Sequence, residues 1–126
     1  MRRLMVITGL VLILTLGLAP AASAYSGLAS WYDLPGNYTA SGDVYESYDY
    51  TCASNVYPFG TYLLVGYGGN SIVCVVTDTG GFDAYGRDLD VSYAMARDLG
   101  LLYVGVDYVD IQYYGEDPYW HYYKQY

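Results

Sequence analysis

Positive charge is the scarcest commodity in this chain. Five Lys and Arg face thirteen Asp and Glu in 126 residues, for a net charge of −8 with its one His neutral. So acidic a surface has no footprint for nucleic acid or for an anionic membrane, and it leaves neutral polymers such as polysaccharides open as partners. One His and two Cys give too few ligands at paired spacing for a metal centre, and neither a metal nor another cofactor is expected. No apolar run reaches the roughly 20 residues that a bilayer-spanning helix needs. The longest, from Leu4 to Leu18, lies at the N-terminus.

That run has the makings of a leader. Arg2 and Arg3 precede it, and Ala22-Ser23-Ala24 closes it with the small-x-small pattern of a signal-peptidase site. Residues 1–24 are therefore expected to be a signal peptide cut before Tyr25, leaving a secreted, wall-associated or periplasmic chain with no stable membrane anchor. Its remaining 102 residues are one domain by length, and three basic residues (Arg87, Arg97, Lys124) against thirteen acidic give −10. Export would place Cys52 and Cys74 in an oxidising compartment, where one disulfide is the economical reading, worth roughly 3 kcal/mol on a chain-entropy argument. Tyrosine is plentiful, at 19 residues. It can be a carbohydrate-binding surface, wet at the hydroxyl and apolar at the ring, or only a compositional habit.

Taken in order, Ser26–Tyr32 alternates as a first strand and Pro35-Gly36-Asn37 breaks it. Thr39-Ala40-Ser41-Gly42-Asp43 is a polar loop, with Glu46 three residues further on. Thr51–Ser54 is a short pinned segment. Thr61–Tyr67 and Ser71–Thr77 flank Gly68-Gly69-Asn70 and predict a hairpin. That hairpin delivers Asp78 to a tight Thr79-Gly80-Gly81 turn. Ser92–Leu99 is the one short helix, with Ser92 as N-cap and Gly100 as the left-handed terminator. Alternation from Tyr103 to Tyr113 predicts a closing strand. Residues 25–114 form the domain and 115–126 a Tyr-rich tail without a usable period.

Short strands with one helix predict a mainly β fold, a small barrel. Five motifs sharpen this: Gly27-Leu28-Ala29-Ser30-Trp31-Tyr32, Thr39-Ala40-Ser41-Gly42-Asp43, Pro58-Phe59-Gly60-Thr61, Val76-Thr77-Asp78-Thr79-Gly80 and Gly86-Arg87-Asp88-Leu89-Asp90-Val91-Ser92. In order and spacing they resemble the RlpA-like (rare lipoprotein A) domain, over residues 27 to about 113. The resemblance implies a six-stranded double-psi β-barrel with one short helix, related to the three-aspartate (MltA-like) barrels, to expansins and to barwin-like endoglucanases. It implies endolytic lytic transglycosylase activity on peptidoglycan glycan strands, leaving 1,6-anhydro-muramyl ends. A non-catalytic, expansin-like wall-binding or wall-loosening module is the alternative.

On that resemblance Asp78 matches the catalytic acid, Asp43 the acid closing the polar loop and Glu46 a second acid. Asp90 takes the place of a catalytic Asp of the three-aspartate branch. The chain departs from the RlpA pattern in two places: Ser54 stands in place of a His, and the turn reads Asp-Thr-Gly-Gly rather than Asp-Arg-Gly-Pro. Trp31, Tyr32, Tyr38 and Ser54 are the residues expected to bind substrate.

A transglycosylase needs a carboxyl that protonates the leaving oxygen and then takes a proton from the sugar's own 6-hydroxyl. For Asp78 this requires a pKa raised by desolvation, for which Phe82 is at hand, or by like charge from Asp43, Glu46, Asp88 or Asp90. Each residue also has a plainer reading. Asp78 before glycine can be a turn former, Trp31 a core residue, Arg87 a partner in a weak surface ion pair, and Asp90 a charge near a helix start.

Overall fold

In the computed structural model, which describes residues 24–117, the strand signals resolve into six strands closed on themselves. They are β1 (Tyr25–Trp31), β2 (Thr51–Ala53), β3 (Thr61–Tyr67), β4 (Asn70–Asp78), β5 (Leu89–Val91) and β6 (Asp107–Glu116). Their order round the closed barrel is β1-β5-β2-β4-β3-β6. Two neighbours are parallel, β1 with β5 and β2 with β4, and the rest are antiparallel. The fold class expected from the sequence, a six-stranded barrel with one helix, is the fold observed.

The hairpin forms because its sequence alternates. Leu63 and Val65 on β3, with Cys74 and Val76 on β4, turn inward and are fully buried, while Tyr62, Leu64 and Val75 between them are only partly covered. Gly68 and Gly69, both at positive φ, make the turn between the strands. With Leu89, Val91, Val109 and Ile111 from the other strands, these residues fill the barrel. Helix α1 (Tyr93–Leu99) adds Met95, Ala96 and Leu99 to one end of that core. The Ser92 hydroxyl accepts from Met95 N, and Gly100 at φ 93° closes the helix through Ala96 O and Arg97 O.

Three expectations are corrected. The bridge between Cys52 and Cys74 is not formed: both are free, buried thiols. Cys52 stands opposite Val76, which leaves Cys74 two residues back along β4. Burial, and then the contact with Cys74, pushes the Cys52 thiol well above its ordinary pKa. The closing strand begins at Asp107, not Tyr103, because Leu101 to Val104 turn off the helix end and Gly105 N bonds back to Leu101 O. It also runs past residue 114, since Gly115 pairs with Tyr62 and Glu116 with Thr61. Residues 1–23 of the predicted signal peptide and the tail from Pro118 on lie outside the described residues.

The register of one strand pair positions the site. Between β2 and β4 the pairing slips by one residue, so that Cys52 faces Val76 but Ala53 faces Asp78. Without that bulge Thr77 would be Ala53's partner. The extra residue re-aims the end of β4 and brings a carboxylate to where a hydroxyl would stand.

Candidate functional site

Four neighbouring strands contribute one row of residues. Ser30 on β1 pairs with Asp90 on β5, Asp90 pairs with Ala53 on β2, and Ala53 pairs with Asp78 on β4. Ala53 is small, so nothing tall stands between the two carboxylates. They are two strand spacings apart, about 9–10 Å between backbones. Both line a cleft of about 480 Å³ whose walls include Tyr32, Leu34, Phe82, Tyr85 and Arg87.

Asp78 is held from three directions. The Tyr32 hydroxyl donates to Oδ2 at 3.0 Å, and the Ala40 and Thr79 amides donate to Oδ1 at 2.9 Å each. The polar loop is thereby tied to the end of β4, a tie that Ser41 N completes on Thr77 O at 3.1 Å. Burial first, and then the nearby charge of Asp78, raises the Tyr32 hydroxyl above its ordinary pKa, so at neutral pH it is a donor.

The turn after Asp78 is shaped by Asn55, whose side chain donates to Gly80 O at 2.6 Å and accepts from Gly80 N at 3.1 Å. Glycine is required at 80 because a Cβ there would stand 2.8 Å from the Phe82 ring. A 3-10 turn, Gly81–Tyr85, then presents Phe82 and Tyr85 to the cleft.

Asp90 is the carboxyl that burial raises. Loss of water is the largest cause and the charge of Asp78 adds to it, while the Ser30 hydroxyl and Arg87 pull the other way. Ser30 Oγ donates to Asp90 Oδ1 at 2.7 Å and accepts from Arg87 Nη1 at 3.0 Å. Arg87 therefore reaches Asp90 through a hydroxyl. Among the described residues the one direct ion pair is Arg97 with Asp98.

Asp43 and Glu46 lie elsewhere. They line a second, smaller cavity of about 230 Å³ with Asp49, Thr51 and Thr77, on the face of β4 that the 39–46 loop covers. Asp43 accepts from Ser41 Oγ at 3.1 Å, so its tie to Asp78 runs through the loop. The fold thus divides the four acids into two pairs.

The expected substrate-binding residues divide as well. Tyr32 lines the cleft. Trp31 instead packs on the core, edge-on to Tyr93, with its indole N–H on Leu102 O at 3.1 Å. Tyr38 is exposed on the outer loop and belongs to neither cavity. Ser54 is buried, and its Oγ accepts from Val56 N and Tyr57 N at 3.1 Å each. It is a staple for the loop after β2, and its own N–H donates to Asp78 O.

Leu34, Tyr85, Asn55 and the Ser30 hydroxyl have parts here that sequence reasoning did not assign. Ser30 alone carried a signal, as a polar residue at an alternating strand position inside a motif. Among the described residues no three His, Cys, Asp or Glu side chains come together as metal ligands.

A family model described as lytic transglycolase matches residues 24–113. Three similar proteins are endolytic peptidoglycan transglycosylases named RlpA, one of them a probable one. That of Haemophilus influenzae is 38% identical over 90 residues, covering 68% of this chain and 31% of the relative. The probable one, of Aquifex aeolicus, is 40% identical over 84 residues, covering 64% and 37%. That of Pseudomonas aeruginosa is 35% identical over 96 residues, covering 73% and 27%. The chain spans about a third of the length of these relatives. A solved Streptomyces papain inhibitor shares the fold, with a TM-score of 0.61 at 23% identity over 74% of this chain and 96% of that one. With the motifs in register, the barrel closed and the family model matching nearly all the described residues, the chain belongs to the lytic transglycolase family, as an RlpA-like double-psi β-barrel.

Proposed function

We propose that this protein is an exported enzyme that cleaves the glycan strands of peptidoglycan without water, leaving 1,6-anhydro-muramyl ends. The observation that carries this reading is the convergence of Asp78 and Asp90 in one cleft, across a residue no larger than alanine, between aromatic walls. The relatives' names supply the polymer.

One carboxyl completes the reaction. Asp78 gives its proton to the glycosidic oxygen as the bond from C1 to that oxygen breaks. The ionised Asp78 then takes the proton from the 6-hydroxyl of the same sugar as O6 bonds to C1. The proton count is restored, and no water is consumed. The hydroxyl of Tyr32 holds Oδ2 of Asp78, and Tyr32 and the exposed Tyr85 give the cleft aromatic surface for a sugar ring.

A second assignment, Asp90 as the acid, has its own support: burial raises that carboxyl, which is what a proton donor near neutrality needs. Asp43 and Glu46 act in this reading on the far side of the loop, shaping it rather than meeting the scissile bond.

Incubation with peptide-stripped peptidoglycan and mass spectrometry of the soluble fragments tests the proposal. Products lacking the mass of one water relative to hydrolysis are expected. Fragments carrying that water would make the protein a hydrolase, and glycan binding with no fragments would leave it a binding module.

A further inference from the structure

One hydrogen-bonded chain runs from a cation to a cleft carboxylate. Arg87 Nη1 lies 3.0 Å from Ser30 Oγ, and Ser30 Oγ lies 2.7 Å from Asp90 Oδ1. While Asp90 is ionised, the polarity of the chain is forced. A guanidinium only donates, so the serine oxygen must accept from Arg87, and its single proton is left for Asp90. Ser30 is 3% exposed, so water does not compete for that hydroxyl.

We propose that Arg87 is a positioning residue for Asp90, acting through Ser30: it fixes the hydroxyl rotor so that its proton always holds Oδ1, leaving Oδ2 as the oxygen that works in the cleft.

Arg87 is itself held for this task. Its guanidinium lies 5.6 Å from the centre of the Tyr85 ring, and its Nε is buried without a partner among the described residues. That atom makes no bond that would explain where the side chain sits. The bond to Ser30 and the Tyr85 ring do.

The groups that bear on Asp90 are few. Asp78 from β4, with burial, opposes its ionisation, and Ser30 and Arg87 favour it. The hydroxyls of Tyr32 and Tyr45 also feel its charge, and β2 presents only Ala53. Removing either link of the chain leaves the opposing influences unbalanced. The catalytic consequence rests on the function proposed above, whereas the positioning itself does not.

The direct test is a carbon NMR titration of the Asp90 carboxyl in the wild type, Arg87→Gln, Ser30→Ala and the double variant, with amide spectra to confirm the fold. Each single change is expected to move the midpoint upward by about one pH unit. The effect of Arg87→Gln should shrink by at least half when Ser30 is already Ala, because the two act in series. Arg87→Lys, which keeps charge and a donor, should recover most of the wild-type midpoint, and Ser30→Ala carries the test if Arg87→Gln does not fold. An unmoved midpoint in Arg87→Gln, or a shift of the same size with and without the Ser30 hydroxyl, would overturn the proposal. The titration is read without glycan, so a failure to cleave glycan would leave its outcome intact.

Discussion

Asp78 and Asp90 are partners of the same residue: each is paired across a ladder with Ala53, one from the parallel side and one from the antiparallel side. The relationship exists because the β2–β4 register slips by one residue before Ala53. A small side chain between the two acids leaves the cleft floor open between them.

The bond from Tyr32 to Asp78 predicts the effect of its loss. Tyr32→Phe keeps the ring against Tyr45, 4.9 Å away centre to centre, and deletes only the hydroxyl. Stability should fall by about 1 kcal/mol, while turnover should fall roughly tenfold or more because a hydrogen bond to a charged group is the one removed. Thermal melts beside glycan turnover read the two effects separately.

Asp90 makes stability depend on pH in a definite direction. Its folded pKa is raised above the unfolded value, so the fold holds this proton more tightly than the unfolded chain does. Stability is fully present below the unfolded pKa, roughly 3.9, and is lost as pH rises through the higher folded value. Asp90→Asn should therefore melt higher than wild type at neutral pH, and the gap should close at pH 3. Melting curves at several pH values check this.

Ser54 is predicted to matter for the fold and not for contact with glycan. Ser54→Ala leaves the Val56 and Tyr57 amides without their acceptor and should lower stability by about 1–3 kcal/mol. Glycan affinity measured at a temperature where the variant is folded should stay within about twofold of wild type.

Much of this was legible in the sequence because local rules and the fold agree. The Thr61–Tyr67 strand, the Gly68-Gly69 turn and the Ser92 and Gly100 helix ends each follow from side-chain alternation or backbone chemistry confined to a few neighbours. The bulge beside Ala53 was not legible, since it depends on two strands more than twenty residues apart. The same holds for the separation of Asp43 and Glu46 from Asp78. Both lie more than thirty residues before Asp78, and the 39–46 loop folds over the outer face of β4 and turns their cavity away from the cleft. Trp31 and Tyr32 are adjacent in sequence and part company for the simplest reason, that successive residues at a strand end point to opposite faces.

The measurement that bears most directly on the central claim is the product spectrum of Asp78→Asn on peptide-stripped peptidoglycan, taken beside wild type. The substitution preserves shape, its one oxygen can keep the Ala40 and Thr79 amides, and its NH2 can donate to the Tyr32 hydroxyl, so the variant should fold and still bind the glycan. The account predicts that anhydro-muramyl fragments appear with wild type and fall at least a hundredfold with the variant, the scale lost with a general acid–base group. Anhydro fragments released by Asp78→Asn at the wild-type rate would contradict it.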